Sequence, residues 1–113
     1  MKLIMAYIQP FMVDRVSDTL REMDVHGVTV IECRGFGRQT HGEKPHYLDE
    51  GVDMDFAPKA KVAIVCHDVG AGSIVRAIKE AAHSGRHGDG KIFVSDIREA
   101  VDIRTGKGGE DIL

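Results

Sequence analysis

Val28-Thr29-Val30-Ile31-Glu32-Cys33 and Ala60-Lys61-Val62-Ala63-Ile64-Val65-Cys66 stand on either side of one long interruption, which runs from Gly35-Phe36-Gly37 to Phe56-Ala57-Pro58. Both flanks are short, β-branched and bounded by Gly or Pro, so both read as strands. Two strands can be joined by two to five residues, yet roughly 20 polar, charged, Gly-bearing residues lie between these two. A loop of that size without a period of its own points to function. It carries Arg38, Gln39, His41 and His46, together with Glu43, Asp49, Glu50, Asp53 and Asp55.

Working outward, Lys2-Leu3-Ile4-Met5-Ala6-Tyr7-Ile8 reads as a first strand and is followed by Gln9-Pro10. Pro10 sits where the first turn of a helix tolerates it. Val13, Val16, Leu20 and Met23 then recur at spacings of three and four, giving an apolar stripe, with Gly27 as the stop signal. Beyond the third strand, Asp68-Val69-Gly70-Ala71-Gly72-Ser73 reads as a turn into a second helix, with Ile74, Ala77, Ile78 and Ala81 on one face. That helix ends near His83-Ser84-Gly85. A Gly-rich turn, Gly85 to Gly90, leads into a fourth strand, Lys91-Ile92-Phe93-Val94-Ser95-Asp96-Ile97. A short extended piece near Ala100–Arg104 and a tail close the chain. The order β-α-β-β-α-β predicts an α+β, ferredoxin-like domain.

Two helices cover one face of a four-stranded sheet. The strands are nevertheless apolar on both faces: Leu3, Met5 and Tyr7 oppose Ile4, Ala6 and Ile8, and Ala63 and Val65 oppose Ala60, Val62 and Ile64. A sheet of that kind needs a second cover. With no third helix in the pattern, the cover expected is another copy of the chain, an obligate homo-oligomer. The 113 residues suit one domain, and a net charge of -3 gives no basis for a nucleic-acid or membrane surface. Cys33 and Cys66 both fall inside strands and read as small buried hydrophobes. The apolar run at the N-terminus is too short for a signal-peptide core or a membrane span, so a cytoplasmic location is expected.

Gly85-x4-Gly90-Lys91 has the spacing of a nucleotide-binding P-loop but not its context. Ile92 stands where a magnesium-binding Ser or Thr belongs, and a strand follows where a helix should. The same residues still suit phosphate, because N–H groups in a Gly-rich turn converge on an anion and Lys91 adds a charge. An ordinary helix-to-strand turn with a solvated lysine accounts for them equally well. Gly35-Phe36-Gly37-Arg38 is a second such turn, and Arg104-Thr105-Gly106 a third basic cluster. His41, His46 and the loop acids permit divalent metal, although a solvated acidic loop fits the same residues and the spacing is not that of a zinc finger. Neither cysteine has an assignable base, and His87 is the sole candidate base near the Gly-rich turn.

Ser84-Gly85-Arg86-His87-Gly88-Asp89-Gly90-Lys91-Ile92-Phe93-Val94-Ser95-Asp96-Ile97 resembles the C-terminal signature of the PII nitrogen-regulatory signal-transduction proteins throughout. Gly35-Phe36-Gly37-Arg38-Gln39, Phe56-x-Pro58-Lys59 and Ile103-Arg104-Thr105-Gly106 fall where that family has equivalents, so the resemblance spans the chain from Pro10-Phe11 onward. It implies a single PII-like domain over residues 1–113, with a long T-loop at about 37–57 and a flexible tail at about 105–113. It further implies a homotrimer that binds ATP or ADP, with AMP a third candidate, in clefts between subunits. Such proteins resemble sensors rather than enzymes. Nucleotide state, and in many members 2-oxoglutarate, shapes a T-loop that docks on a membrane transporter or an enzyme.

Carried over by residue, Gly35, Gly37 and Arg38 would border the nucleotide, with Thr29 and Ile64 near its base. Gly88, Asp89, Gly90 and Lys91 would cradle phosphate, and Arg104 would reach it. Gln39 would help hold magnesium and 2-oxoglutarate, and Lys59 would pair with a carboxylate. Two departures shape the expectation. The stretch that enteric members modify matches Tyr47-Leu48-Asp49-Glu50-Gly51-Val52, and Val52 replaces the uridylylated tyrosine, so that control is not expected. The family commonly has Arg-x-Arg near its C-terminus, and here Asp102-Ile103-Arg104 stands instead. An acid beside a polyanion costs about 1–3 kcal/mol if it is close, which favours fewer phosphates or a different effector. The competing readings are a metal-responsive trimer using His41 and His46, and an enzyme acting on a phosphate-bearing substrate.

Overall fold

The computed structural model describes residues 1–37 and 56–113. Strand β1 spans Lys2–Ile8, and a single 3-10 turn, Pro10–Met12, leads into α1, Val13–Glu22. Strands β2, Thr29–Gly35, and β3, Ala57–Cys66, flank the long loop. Helix α2 spans Asp68–Ala82 and β4 spans Gly90–Asp96. The four strands form one sheet in the order β2-β3-β1-β4, every pair antiparallel. This is the ferredoxin-like α+β arrangement expected from the sequence. Among the described residues, no helix is long and apolar enough to cross a membrane.

Side chains alternate across each strand, so one face of the sheet takes Ile4, Ala6 and Ile8 from β1 and Ala60, Val62, Ile64 and Cys66 from β3. All are buried with Val16 and Leu20 of α1 and Ala71, Ile74, Ile78, Ala81 and Ala82 of α2. Burial pushes the Cys66 thiol up from its ordinary value, which keeps it protonated and inert.

Several boundaries differ from the sequence reading, three of them for reasons visible in the packing. Met23 is exposed, because α1 stops at Glu22 and Met23 only caps it. The turn is closed by Asp24 at φ 60, whose N–H donates to the Arg21 carbonyl at 3.0 Å while the Val25 N–H reaches the Leu20 carbonyl at 2.9 Å. That is a Schellman ending with an aspartate in the position glycine usually takes. Val25, rather than Met23, packs on the core. Helix α2 begins at Asp68, so the Gly70–Gly72 stretch is its first turn, held by Ala71 packing inward. Strand β3 begins at Ala57, because Gly35 and Ala57 are still paired. Pro58 is tolerated there since the β1 partners end at Ala60, leaving only β2 beside it.

The opposite face of the sheet is the one the alternation left unexplained. Met5 lies between Ala63 and Phe93, and Tyr7 between Lys61 and Lys91, with Thr29 and Ile31 continuing these rows onto β2. The Tyr7 and Phe93 rings meet edge to face at 6.1 Å, and Lys61 Nζ lies 6.0 Å from the Tyr7 ring centre. Phe93 and Ile31 remain about half exposed, at 50% and 46%. Among the described residues, no helix lies on this face.

Candidate functional site

Four strand ends meet at the base of the long loop. Ile8, the last residue of β1, pairs with Ala60 on one side and with Gly90, the first residue of β4, on the other. Gly35 and Ala57 close β2 and β3 at the same end. Just beyond them, Phe36 and Phe56 stack edge to face at 5.0 Å and clasp the two strands where the loop departs.

The Gly-rich turn is built by hydrogen bonds from both sides. The Asp89 carboxylate accepts from the Ser84 N–H at 2.8 Å, from the Ser84 hydroxyl and from the Gly85 N–H at 2.9 Å. The Arg86 N–H donates to Ser84 Oγ at 3.2 Å. The first half of the turn is thus tied up internally. Its second half is held from outside: the Gly88 carbonyl accepts from Gln9 Nε2 at 2.6 Å and from Lys59 Nζ at 3.0 Å. Gly88 and Gly90 have φ of +94 and +107, and Gly90 lies so close to β1 that a Cβ there would fall 1.7 Å from the Tyr7 carbonyl oxygen.

The Ser84 hydroxyl, with the Ser84 N–H and then the Gly85 N–H and His83, holds the Asp89 carboxyl below the usual carboxylate range. The sign of its contribution follows. A depressed folded value adds stability above the ordinary carboxylate value, and that stability disappears as pH falls through the depressed one. Thermal midpoints measured against pH are expected to drop below about pH 4, and Asp89→Asn is expected to flatten part of that drop. If both proteins give parallel curves, the Asp89 carboxylate does not support the turn.

The site residues expected from the sequence are spread over this frame. Gly35, Gly37, Lys59 and the Gly88–Lys91 turn stand at the loop end of the sheet. Thr29 lies six positions up β2, about 20 Å away at ~3.4 Å per residue. Ile64 is 1% exposed, and its side chain faces the helices. Arg38, Gln39, His41, His46 and Val52 lie outside the described residues. Among the described residues, no group of three His, Cys, Asp or Glu could hold a metal ion.

Arg104 sits on a hairpin rooted at the other end of the sheet. The Gly109 N–H donates to the Ala100 carbonyl, and Glu110 reaches the N-terminal amine at 3.5 Å. Asp102 shapes the hairpin tip: its carboxylate accepts from the Arg104 N–H at 2.8 Å and the Thr105 N–H at 3.2 Å. Asp102, which in the sequence read as a charge opposed to phosphate, also turns the chain here. Gln9 was missed altogether, since a lone glutamine before a proline carries no motif.

Two clefts border the site. One of about 160 Å³ lies behind the turn among Ile8, Ile78, Ala82, His83, Asp89 and Lys91. One of about 650 Å³ runs along β2 and β3 beside Pro10, Val13, Glu32, Arg34 and Lys59. Neither includes Thr29, Gly35 or Arg104.

The sequence profile described as Nitrogen regulatory protein P-II matches residues 1–107. Proteins named Nitrogen regulatory protein P-II from Rhizobium meliloti, Azospirillum brasilense and Bradyrhizobium diazoefficiens are 46%, 45% and 47% identical to the chain, each over all of both sequences. With a match of that extent on a ferredoxin-like frame, the chain belongs to the P-II nitrogen regulatory family, whose members are signalling proteins and not enzymes.

Proposed function

We propose that this chain is a cytoplasmic regulator that assembles as a homotrimer and binds ATP or ADP, with AMP a third candidate, in clefts between copies. One observation carries the reading. The Gly88–Lys91 turn stands where β4 begins, and the hairpin bearing Arg104 is rooted beyond its far end, seven residues on. At ~3.4 Å per residue that separates them by more than 20 Å, further than one triphosphate spans. If both touch one nucleotide, Arg104 comes from a second copy. The uncovered face around Met5, Tyr7 and Phe93 is the surface on which copies would meet.

In this arrangement Gly88, Gly90 and Lys91 receive phosphate, with Asp89 shaping the turn rather than touching the anion. Gly35, Gly37 and Arg38 border the nucleotide from the loop, and Thr29, about 20 Å away along β2 at ~3.4 Å per residue, reaches its base from a second copy as Arg104 does. Gln39 helps hold magnesium and 2-oxoglutarate, Lys59 pairs with a carboxylate, and the loop carries the signal to a transporter or enzyme. A ligand moves the loop only as far as it binds one loop state better than another. With Val52 in place of the modified tyrosine, uridylylation is not part of that control.

Calorimetric titration with ATP, ADP and AMP, with and without magnesium and 2-oxoglutarate, tests this. Saturable binding of at least one nucleotide is expected, and tightening of ATP by 2-oxoglutarate would place Gln39 and Lys59 in the site. No binding of any of the three at millimolar concentration would defeat the reading.

A further inference from the structure

The Gly88 carbonyl carries two donors that differ in kind. A carbonyl oxygen has two lone pairs, so Gln9 and Lys59 can occupy it together. In a trans peptide the carbonyl and the following N–H point in opposite directions. Drawing the Gly88 carbonyl toward β1 and β3 therefore turns the Asp89 N–H away from them. The glycine and the clamp also fit each other closely, since a Cβ at Gly88 would fall 2.7 Å from Gln9 Nε2.

The two donors respond differently to an anion. Lys59 is a cation and makes a stronger bond with a carboxylate or phosphate than with a neutral carbonyl. Gln9 is neutral and has no comparable reason to leave. Lys59 also lies in β3 just after the Phe36–Phe56 clasp, so its bonding state connects the loop's base with the turn. We propose that Gln9 is a positioning residue for the anion-binding turn: it retains the Gly88 carbonyl when Lys59 is drawn off to an anionic ligand. Nucleotide and carboxylate can then be held at once, because the turn keeps its shape through Gln9 alone. The proposal rests on the nucleotide reading above.

The test is a double-mutant cycle on ATP affinity with Gln9→Leu and Lys59→Met, alongside amide exchange of residues 84–91 in the ligand-free protein. Gln9→Leu alone is expected to weaken ATP by no more than about threefold, because Lys59 still holds the carbonyl. In the Lys59→Met background the same substitution should weaken it by roughly a further tenfold, since no donor remains. A mere effect on general stability would give equal losses in both backgrounds, and equal losses overturn the proposal. If the wild-type protein binds no ATP, the nucleotide reading falls and exchange decides the clamp by itself. Exchange of the turn amides accelerated in the double variant beyond the product of the single effects sustains the clamp. Exchange unchanged by Gln9→Leu in both backgrounds removes it.

Discussion

Gly90→Ala is expected to destabilise the protein by about 3 kcal/mol or more and, in whatever fraction still folds, to abolish the nucleotide binding proposed for the Gly-rich turn. Gly90 opens β4 opposite Ile8 at φ +107, where an L side chain is strained before any contact is counted. Its Cβ would lie 1.7 Å from the Tyr7 carbonyl oxygen and 2.8 Å from the carbonyl carbon. These are backbone atoms of β1, which is paired with β3 on its other side and cannot retreat without breaking that ladder as well. Either β4 peels away at its start, moving Lys91, or the sheet loses its register. Gly85→Ala is the internal control: its φ is +86, but the nearest atom is the end of the His83 side chain at 3.7 Å. Left-handed strain alone then applies, about 1–2 kcal/mol. Urea unfolding of both variants decides the matter. A Gly90 variant no less stable than the Gly85 variant would show that the close approach to β1 is not a constraint.

Met5→Asp is expected to prevent the proposed trimer from forming at micromolar concentration. Met5 sits in the middle of the open face, between Ala63 on β3 and Phe93 on β4. In a monomer the new carboxylate would remain in water and the helix-side core would be untouched, so the chain should still fold. In an assembly it would be buried without a partner, at a cost of several kcal/mol, or a factor on the order of a thousand in association. Sedimentation velocity on the wild-type and variant proteins reads this directly. Circular dichroism confirms that the variant is folded, and under the proposed arrangement an ATP titration should show binding lost together with assembly. A variant that sediments as the wild type does would mean that copies meet elsewhere.

Much of this was legible in the chain. The strands could be read from β-branched runs bounded by Gly and Pro, and the helix faces from Val16, Leu20, Ile74 and Ile78 at helical spacing. What was misread lay at boundaries. Gly70 and Gly72 looked like a turn because glycine lowers helix propensity, yet inward packing of Ala71 and its neighbours outweighs the ~1 kcal/mol each glycine costs. Met23 continued the stripe by spacing, but Asp24 reverses the chain in a left-handed conformation that the local pattern gave no reason to expect.

By itself, then, the sequence determined which residues face the core, that the second sheet face is apolar, and, through several motifs in order, the family. All of these are local: a period or a motif is written in neighbouring residues. Only the tertiary structure decided that Gln9 and Lys59 share the Gly88 carbonyl, 79 and 29 positions away along the chain. It alone set the Arg104 hairpin at the end of the sheet opposite the Gly-rich turn. Contacts of that range depend on strand order and register, which arise from the packing of all four strands and both helices together and are carried by no one segment.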